Sequence, residues 1–272
     1  MRVAWATDVH LNFLDAEGLE DFTRRVSALS PQAVFLTGDI SDAPALEEHL
    51  LFLDAKLGVP IYFVLGNHDF YGGSIGAVRA SAEALALRSQ RLCWLPAAGI
   101  VTLPGGRALV GQDGWGDGRI GNFAASPVLL NDWREIEDFR AAGALFDVPA
   151  RLAKLHALGD EAARGLERDL SSALERHQSV TVLTHVPPFE GACWHEGAVS
   201  GPDWLPWFTC AAVGRVLLAQ AERHADRQIR VYCGHTHSPG RFAPRDNLIV
   251  YTGAAEYGAP TVVPIDLDAP DA

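Results

Sequence analysis

Short apolar runs, each closing on a polar or glycine-containing tip, constrain this chain more than any other feature. "RVAWATD" (2–8), "AVFLTGD" (33–39) and "IYFVLGN" (61–67) open it. "VTVLTH" (180–185), "IRVYCGH" (229–235), "NLIVYTG" (247–253) and "TVVPIDL" (261–267) follow later. Runs that are apolar almost throughout predict strands buried on both faces, not one-sided hairpins. Between the first three, Leu19, Phe22 and Val26, then Leu46, Leu50, Leu53 and Leu57, recur at helical spacing. The opening therefore reads β-α-β-α-β, which predicts an α/β layered fold.

The stretch 93–118 reads as short strands and Gly-rich turns suited to hairpins or a sheet edge. From 149 to 177, Leu152, Leu155, Leu158, Ala162, Leu166, Leu170 and Leu174 keep steps of three and four, predicting one long helix. No internal repeat or low-complexity linker interrupts the 272 residues, so a single domain over 1–272 is expected, with insertions at 112–134 and 186–207.

A formal net charge of −12 speaks against a general electrostatic grip on nucleic acid or an anionic membrane. It leaves room for an anionic substrate, because bound metal reverses the local sign. No apolar run reaches the roughly 20 residues that span a bilayer. The four cysteines, Cys93, Cys193, Cys210 and Cys233, lack CxxC spacing and predict neither a zinc knuckle nor a disulfide framework. "MRVAWATDVH" lacks the apolar core of a signal peptide, and the cytoplasm is the expected compartment.

The strand tips carry the chemistry. Asp8-Val9-His10 follows the first run, Gly38-Asp39 the second and Gly66-Asn67-His68-Asp69 the third. His185 ends "VTVLTH", and Gly234-His235-Thr236-His237 ends "IRVYCGH". In an extended segment residues i and i+2 share a side, so His235 and His237 would face one point, with Gly234 admitting a close neighbour. Ligands of open α/β sheets gather beyond the carboxyl ends of the strands. Taken singly, Asp39 or Asn67 could cap a helix and His185 could be a satisfied core histidine. Together, so many carboxylates and imidazoles at one edge are costly to bury unless paired or bound to metal.

The ordered set DxH, GD, GNHD, H and GHxH, from Asp8 to His237, resembles the calcineurin-like metallophosphoesterase superfamily. The resemblance implies a four-layer α/β/β/α sandwich with two mixed sheets and a two-metal site at the carboxyl ends of the strands. By motif position, Asp8, His10 and His237 would bind one metal and Asn67, His185 and His235 the other, with Asp39 bridging. Two divalent cations against two carboxylates and a bridging hydroxide leave about +1, enough to attract a phosphate ester to an acidic protein. Mixed nitrogen and oxygen ligands suit Mn, Fe, Zn or Co. His68 would protonate the leaving group, and Asp42 would hydrogen-bond His68 or, alternatively, cap the helix that begins in "APALEEHL".

Departures narrow the resemblance. "GDISDAP" lacks the arginine with which protein Ser/Thr phosphatases continue GD. His68 stands where the lipid-A-pathway hydrolases have arginine. Superfamily DNA repair nucleases share GNHD, but no basic stretch accompanies it here. The expected substrate is therefore a small-molecule phosphate ester. His195 or Trp194, and Trp115 or Arg119, are candidates for its pocket; the competing reading puts the tryptophans in a satellite core and His195 in solvent. Alternatives to a phosphoesterase acting on small or medium-sized esters are a cyclic-nucleotide or other phosphodiesterase, a non-catalytic metal-binding scaffold, and a mononuclear zinc hydrolase.

Overall fold

The computed structural model describes residues 1–269. Along the chain run β1 (Arg2–Ala6), α1 (Ala16–Ala28), β2 (Ala33–Thr37), α2 (Leu46–Leu57), β3 (Ile61–Val64), α3 (Ile75–Arg88), β4 (Leu92–Trp94) and α4 (Leu95–Ala98). Then come β5 (Val101–Leu103), β6 (Arg107–Gln112), α5 (Asp132–Glu135), α6 (Glu137–Ala141), α7 (Val148–Leu174) and β7 (Ser179–Thr184). The rest is β8 (Trp194–His195), β9 (Ala198–Val199), α8 (Leu205–Phe208), α9 (Ala211–Arg223), β10 (Gln228–Cys233), β11 (Gly240–Arg245), β12 (Leu248–Thr252) and β13 (Val263–Asp266).

Two mixed sheets form, in the orders β13-β1-β2-β3-β4 and β11-β12-β10-β7-β6-β5. Alternation along each strand explains the four layers. In β1, Ala4 and Ala6 pack into the core that also holds Phe22, Val26, Leu50 and Leu53 of α1 and α2. Val3 and Trp5 point the other way, into a core between the sheets with Phe35, Leu183 and Tyr232. In β7 and β10, Val180, Val182, Ile229 and Val231 pack against Leu166 and Leu170 of α7 and Leu217 of α9. Both faces of the central strands are buried, as their unbroken apolar sequences require.

Local signals set the helix ends. The Asp147 carboxylate accepts from Ala150 N at 2.8 Å, and Pro149 sits in the first turn, so α7 starts beside its predicted position. "TVVPIDL" departs from expectation: β13 is an antiparallel edge strand on β1, with Val263 and Pro264 exposed. An edge is where a strand tolerates proline. Residues 240–245, not expected as a strand, form an edge of the other sheet, β11, with half-buried and exposed positions alternating.

Register aligns the chemistry. Ala6 lies opposite Leu36, Thr37 opposite Val64, and Tyr232 opposite Leu183, all in parallel pairs, so five loops leave the two sheets at one edge. Backbone bonds tie them together: Asp8 N to Gly38 O (3.0 Å), His10 N to Asp39 O (2.9 Å) and Gly234 N to His185 O (2.9 Å).

Candidate metal centre

The strand-tip side chains converge in two clusters. Asp8, His10, Asp39 and His237 form one, and Asp39, His185 and His235 the other; within each, one potential ligand atom per residue lies within 4.8 Å of all the rest. Asp39 belongs to both. Asn67 joins the second, with Oδ1 3.2 Å from His185 Nε2.

The backbone does not deliver these groups as an extended segment would. Asp8, His10, Asp39, His235 and His237 all adopt positive φ, between 43° and 71°; of the described non-glycine residues only Ser30 and Glu196 join them. Side chains rarely take this left-handed conformation, and its concentration at one edge marks strain held by the surrounding structure. Left-handed kinks, not strand alternation, send His235 and His237 to different clusters. Glycine matters here through close approach. A Cβ on Gly234 would overlap Thr7 Oγ1 and the Asp8 carboxylate, and one on Gly66 would overlap the Asp39 carboxylate.

Protonation states follow from hydrogen bonds. His185 Nδ1 lies 2.8 Å from the Thr37 carbonyl oxygen and donates to it, leaving Nε2 a lone pair in the neutral ring. His235 Nε2 lies 3.2 Å from Trp207 O and donates there, so Nδ1 is the bare nitrogen; it faces His185 Nε2 at 3.1 Å. The Asn67 amide donates to Asp132 Oδ1 at 2.9 Å, which turns its oxygen toward the same point. Asp39 Oδ1 lies 3.4 Å from His185 Nε2. Four acceptors thus converge, an arrangement that needs positive charge among them. Burial opposes charging His185, but Asp39 and Asp8 together raise its pKa to about 10, so a proton can supply that charge. A metal ion would satisfy all four atoms.

The first cluster makes the same point differently. His10 is fully buried, beneath the Tyr257 ring at 4.4 Å and beside Phe13 and His68, yet among the described residues neither ring nitrogen has a hydrogen-bond partner. Burial lowers its pKa to about 4 and that of His235 to about 3, so both are neutral near pH 7. Burial alone would raise Asp8 and Asp39; the nearby His185 holds both below the ordinary carboxylate range, helped by His237 at Asp8 and His68 at Asp39. The donor set of imidazole, carboxylate and amide oxygen fits first-row transition metals.

His68 donates its backbone N–H to Asp39 Oδ1 at 2.8 Å, and its ring stacks on Tyr71 at 4.3 Å. Asp42 neither meets His68 nor caps α2, whose N-cap, Ala45, has no side-chain cap. The Asp42 carboxylate accepts from Ala45 N at 3.2 Å, and among the described residues no hydrogen bond joins it to the His68 side chain. Of the pocket candidates, His195 lines the cavity over the centre, with Nδ1 3.2 Å from Thr236 O. Trp194 does not; it packs on Gly240. Trp115 is core, against Phe70 and Phe139, and Arg119 pairs with Asp117 and Asp160.

Three residues of the site have roles that the motifs do not assign. Asp132 is buried and accepts from Asn67 and, at 2.7 Å, from Tyr71 Oη; burial raises its pKa against those two bonds. Asp69 accepts at 2.8 Å from each of Ile40 N, Ser41 N and Gly66 N, a tie between the Asp39 loop and the Asn67 loop that its place in GNHD did not foretell. Tyr257 covers His10 from a loop far along the chain. Only the acid of "LLNDWREI", set among apolar and aromatic residues, hinted at Asp132.

Residues 1–239 match the calcineurin-like phosphoesterase family. The chain belongs to that family. It is a metallophosphoesterase, an enzyme of metal-dependent phosphate-ester hydrolysis. A search of curated proteins returns no match. Among solved structures, it is similar to phosphopantetheinyl hydrolase (PptH) from Mycobacterium tuberculosis, at TM-score 0.66 and 15% identity over 98% of this chain and 96% of the other. It is also similar to a dimetal phosphatase from Danio rerio, at TM-score 0.57 and 17% identity over 93% and 87%. At these identities the likeness shows a shared fold. No described helix of this metallophosphoesterase is long and apolar enough to cross a membrane.

Proposed function

We propose that the chain hydrolyses small-molecule phosphate esters at a binuclear centre within one domain. Asp8, His10 and His237 would hold one metal, Asn67, His185 and His235 the second, and Asp39 both. The observation that carries this is the pair of ligand clusters sharing Asp39, with bare acceptor atoms turned inward. When bound, such a metal pair supplies Lewis acidity toward the phosphoryl group and a water acidified enough to attack it. The rest falls to the chain. Asn67 and the histidines fix the ligand geometry, and the cavity walls orient the ester. His68, on the cavity wall beside Asp39, donates a proton to the departing alcohol oxygen.

A phosphodiester is the second reading, and one observation favours it. Among the described residues no lysine or arginine lines the cavity, so the second negative charge of a monoester would face the metals alone.

Hydrolysis of p-nitrophenyl phosphate and bis-p-nitrophenyl phosphate by Mn-loaded protein tests both readings. Turnover should vanish with chelation and return with metal, and the preferred ester assigns monoesterase or diesterase. His68→Ala should keep its metal and slow methyl phosphate about 10²–10⁴-fold, with a much smaller effect on p-nitrophenyl phosphate, whose leaving group needs no proton. Equal slowing of both would remove His68 from the acid role.

A further inference from the structure

The cavity above the centre, ≈ 340 Å³, has an unusual wall composition for a site that must hold an anion. Beyond the clustered ligands and His68 its walls are largely apolar and aromatic: Leu129, Leu130, Trp204, Phe208, Tyr71 and Tyr257. Three of these project into solvent at its mouth, Leu129 at 62%, Trp204 at 45% and Tyr257 at 50% exposure. Trp204 rests on Phe208 with ring centroids 5.2 Å apart and planes at 25°, which fixes the indole while leaving it exposed. Phe13, 56% exposed, extends the apolar rim beyond Tyr257, 5.2 Å away. Exposed aromatic surface gathered around a concave site marks a surface that something else covers.

Charge points the same way. The remaining polar wall groups, His195, Asn131, Thr236 and the buried Asp132, offer hydrogen bonds but no fixed positive charge. The rim's chain neighbours are acidic: Glu196 follows His195, Asp203 precedes Trp204 and Glu256 precedes Tyr257. Apart from metal, no described residue lining the cavity compensates an anionic group on the substrate other than the phosphoryl group itself. A second carboxylate or phosphate would meet low-dielectric walls and like charge.

We infer that the site selects phosphate esters whose single anionic group is the phosphoryl, and whose alcohol part is uncharged and aromatic or aliphatic, packing against Trp204, Tyr257 and Leu129. This rests on the phosphoesterase reading above. It assigns the 186–207 and 112–134 insertions the role of recognising the alcohol, with Trp204 and Leu129 as specificity determinants. Nucleoside polyphosphates, sugar bisphosphates and acidic phosphopeptides fall outside this class.

The test uses the metal-loaded full chain and three alkyl esters with leaving groups of similar basicity: methyl, benzyl and 4-carboxybenzyl phosphate. Benzyl phosphate should exceed each of the others in kcat/KM by about tenfold or more. Trp204→Ala should lower the benzyl-to-methyl ratio about tenfold, chiefly through KM. Leu129→Arg, at a solvent-exposed position, should raise kcat/KM for the carboxybenzyl ester relative to the benzyl ester. Calorimetric Kd values for benzylphosphonate and 4-carboxybenzylphosphonate should show the same order without turnover. Esters turned over with no preference, or phosphonates bound equally, would overturn this inference and leave the phosphoesterase reading intact. Turnover of none of the esters, and none of bis-p-nitrophenyl phosphate, by protein holding two metals would overturn both.

Discussion

The two halves of the centre are built differently. In the half formed by Asn67, His185 and His235, each side chain is fixed from behind by a hydrogen bond: to Asp132, to Thr37 O and to Trp207 O. In the other half, Asp8 is held by Thr7 Oγ1 at 2.6 Å and by His235 N at 3.0 Å, but its histidines are not. Among the described residues His10 has no bonded nitrogen, and His237 reaches only Asp8, at 3.4 Å, with its side chain 23% exposed. Ring packing by Tyr257 holds them instead. Outer hydrogen bonds orient a ligand and raise its basicity, and packing does only the first. The half built on hydrogen bonds should bind its metal more tightly, and the packed half should exchange faster.

The largest effect should come from removing what the halves share. Asp39→Asn takes one negative charge from both clusters at once. We expect metal content below one per chain by elemental analysis, and activity lower by about 10³-fold, equivalent to several kcal/mol of barrier. Any metal left should sit in the hydrogen-bonded half. It should then be lost in Asp39→Asn/His185→Ala and kept in Asp39→Asn/His10→Ala. The reverse pattern would break the comparison.

A smaller, one-sided effect should follow from Asp132. Asp132→Leu leaves the Asn67 amide without its partner, and affinity for the second metal should fall about 10–100-fold while the first is spared. Asp132→Asn should restore most of it, because an amide oxygen still accepts from Asn67 and Tyr71. Metal titration by calorimetry, resolving two steps, reads both. Equal loss at both steps would show that Asp132 only supports the fold.

The same division explains how much of the site is legible in the sequence. The strand tips are legible because each motif spans a few residues and its strand is apolar throughout, which places Asp8, Asp39, Asn67, His185 and His235 at one edge. The left-handed backbone at Asp8, His10, Asp39, His235 and His237 is not legible, since alternation in an extended segment brings His235 and His237 together equally well on paper. Asp132 and Tyr257 are hidden for another reason. Asp132 opens α5, 65 residues along from Asn67, and Tyr257 reaches His10 from near the other end of the chain, and nothing in their local spacing tells such segments from surface. Edge character is illegible too. β11 carries a proline and exposed positions that do not read as a strand, and β13 reads as a strand but not as an exposed edge.

Tyr71 offers the finest test of the comparison, because its hydroxyl and its ring serve different neighbours. The hydroxyl donates to Asp132, on the metal side, while the ring stacks at 27° on His68, on the proton-donor side. Tyr71→Phe keeps the stack and removes one buried hydrogen bond, which should cost about 1 kcal/mol of unfolding free energy in a denaturant titration. Second-step metal affinity should then fall severalfold, less than in Asp132→Leu, since Asp132 still accepts from Asn67. The methyl-to-p-nitrophenyl phosphate rate ratio should hold, because the ring that orients His68 is unchanged. A fall in that ratio with metal affinity intact would give the hydroxyl a direct part in proton delivery, for which its place on the cavity wall leaves room. The outer bonds would then serve both the metal and the leaving group, and the boundary between the two halves would run through Tyr71.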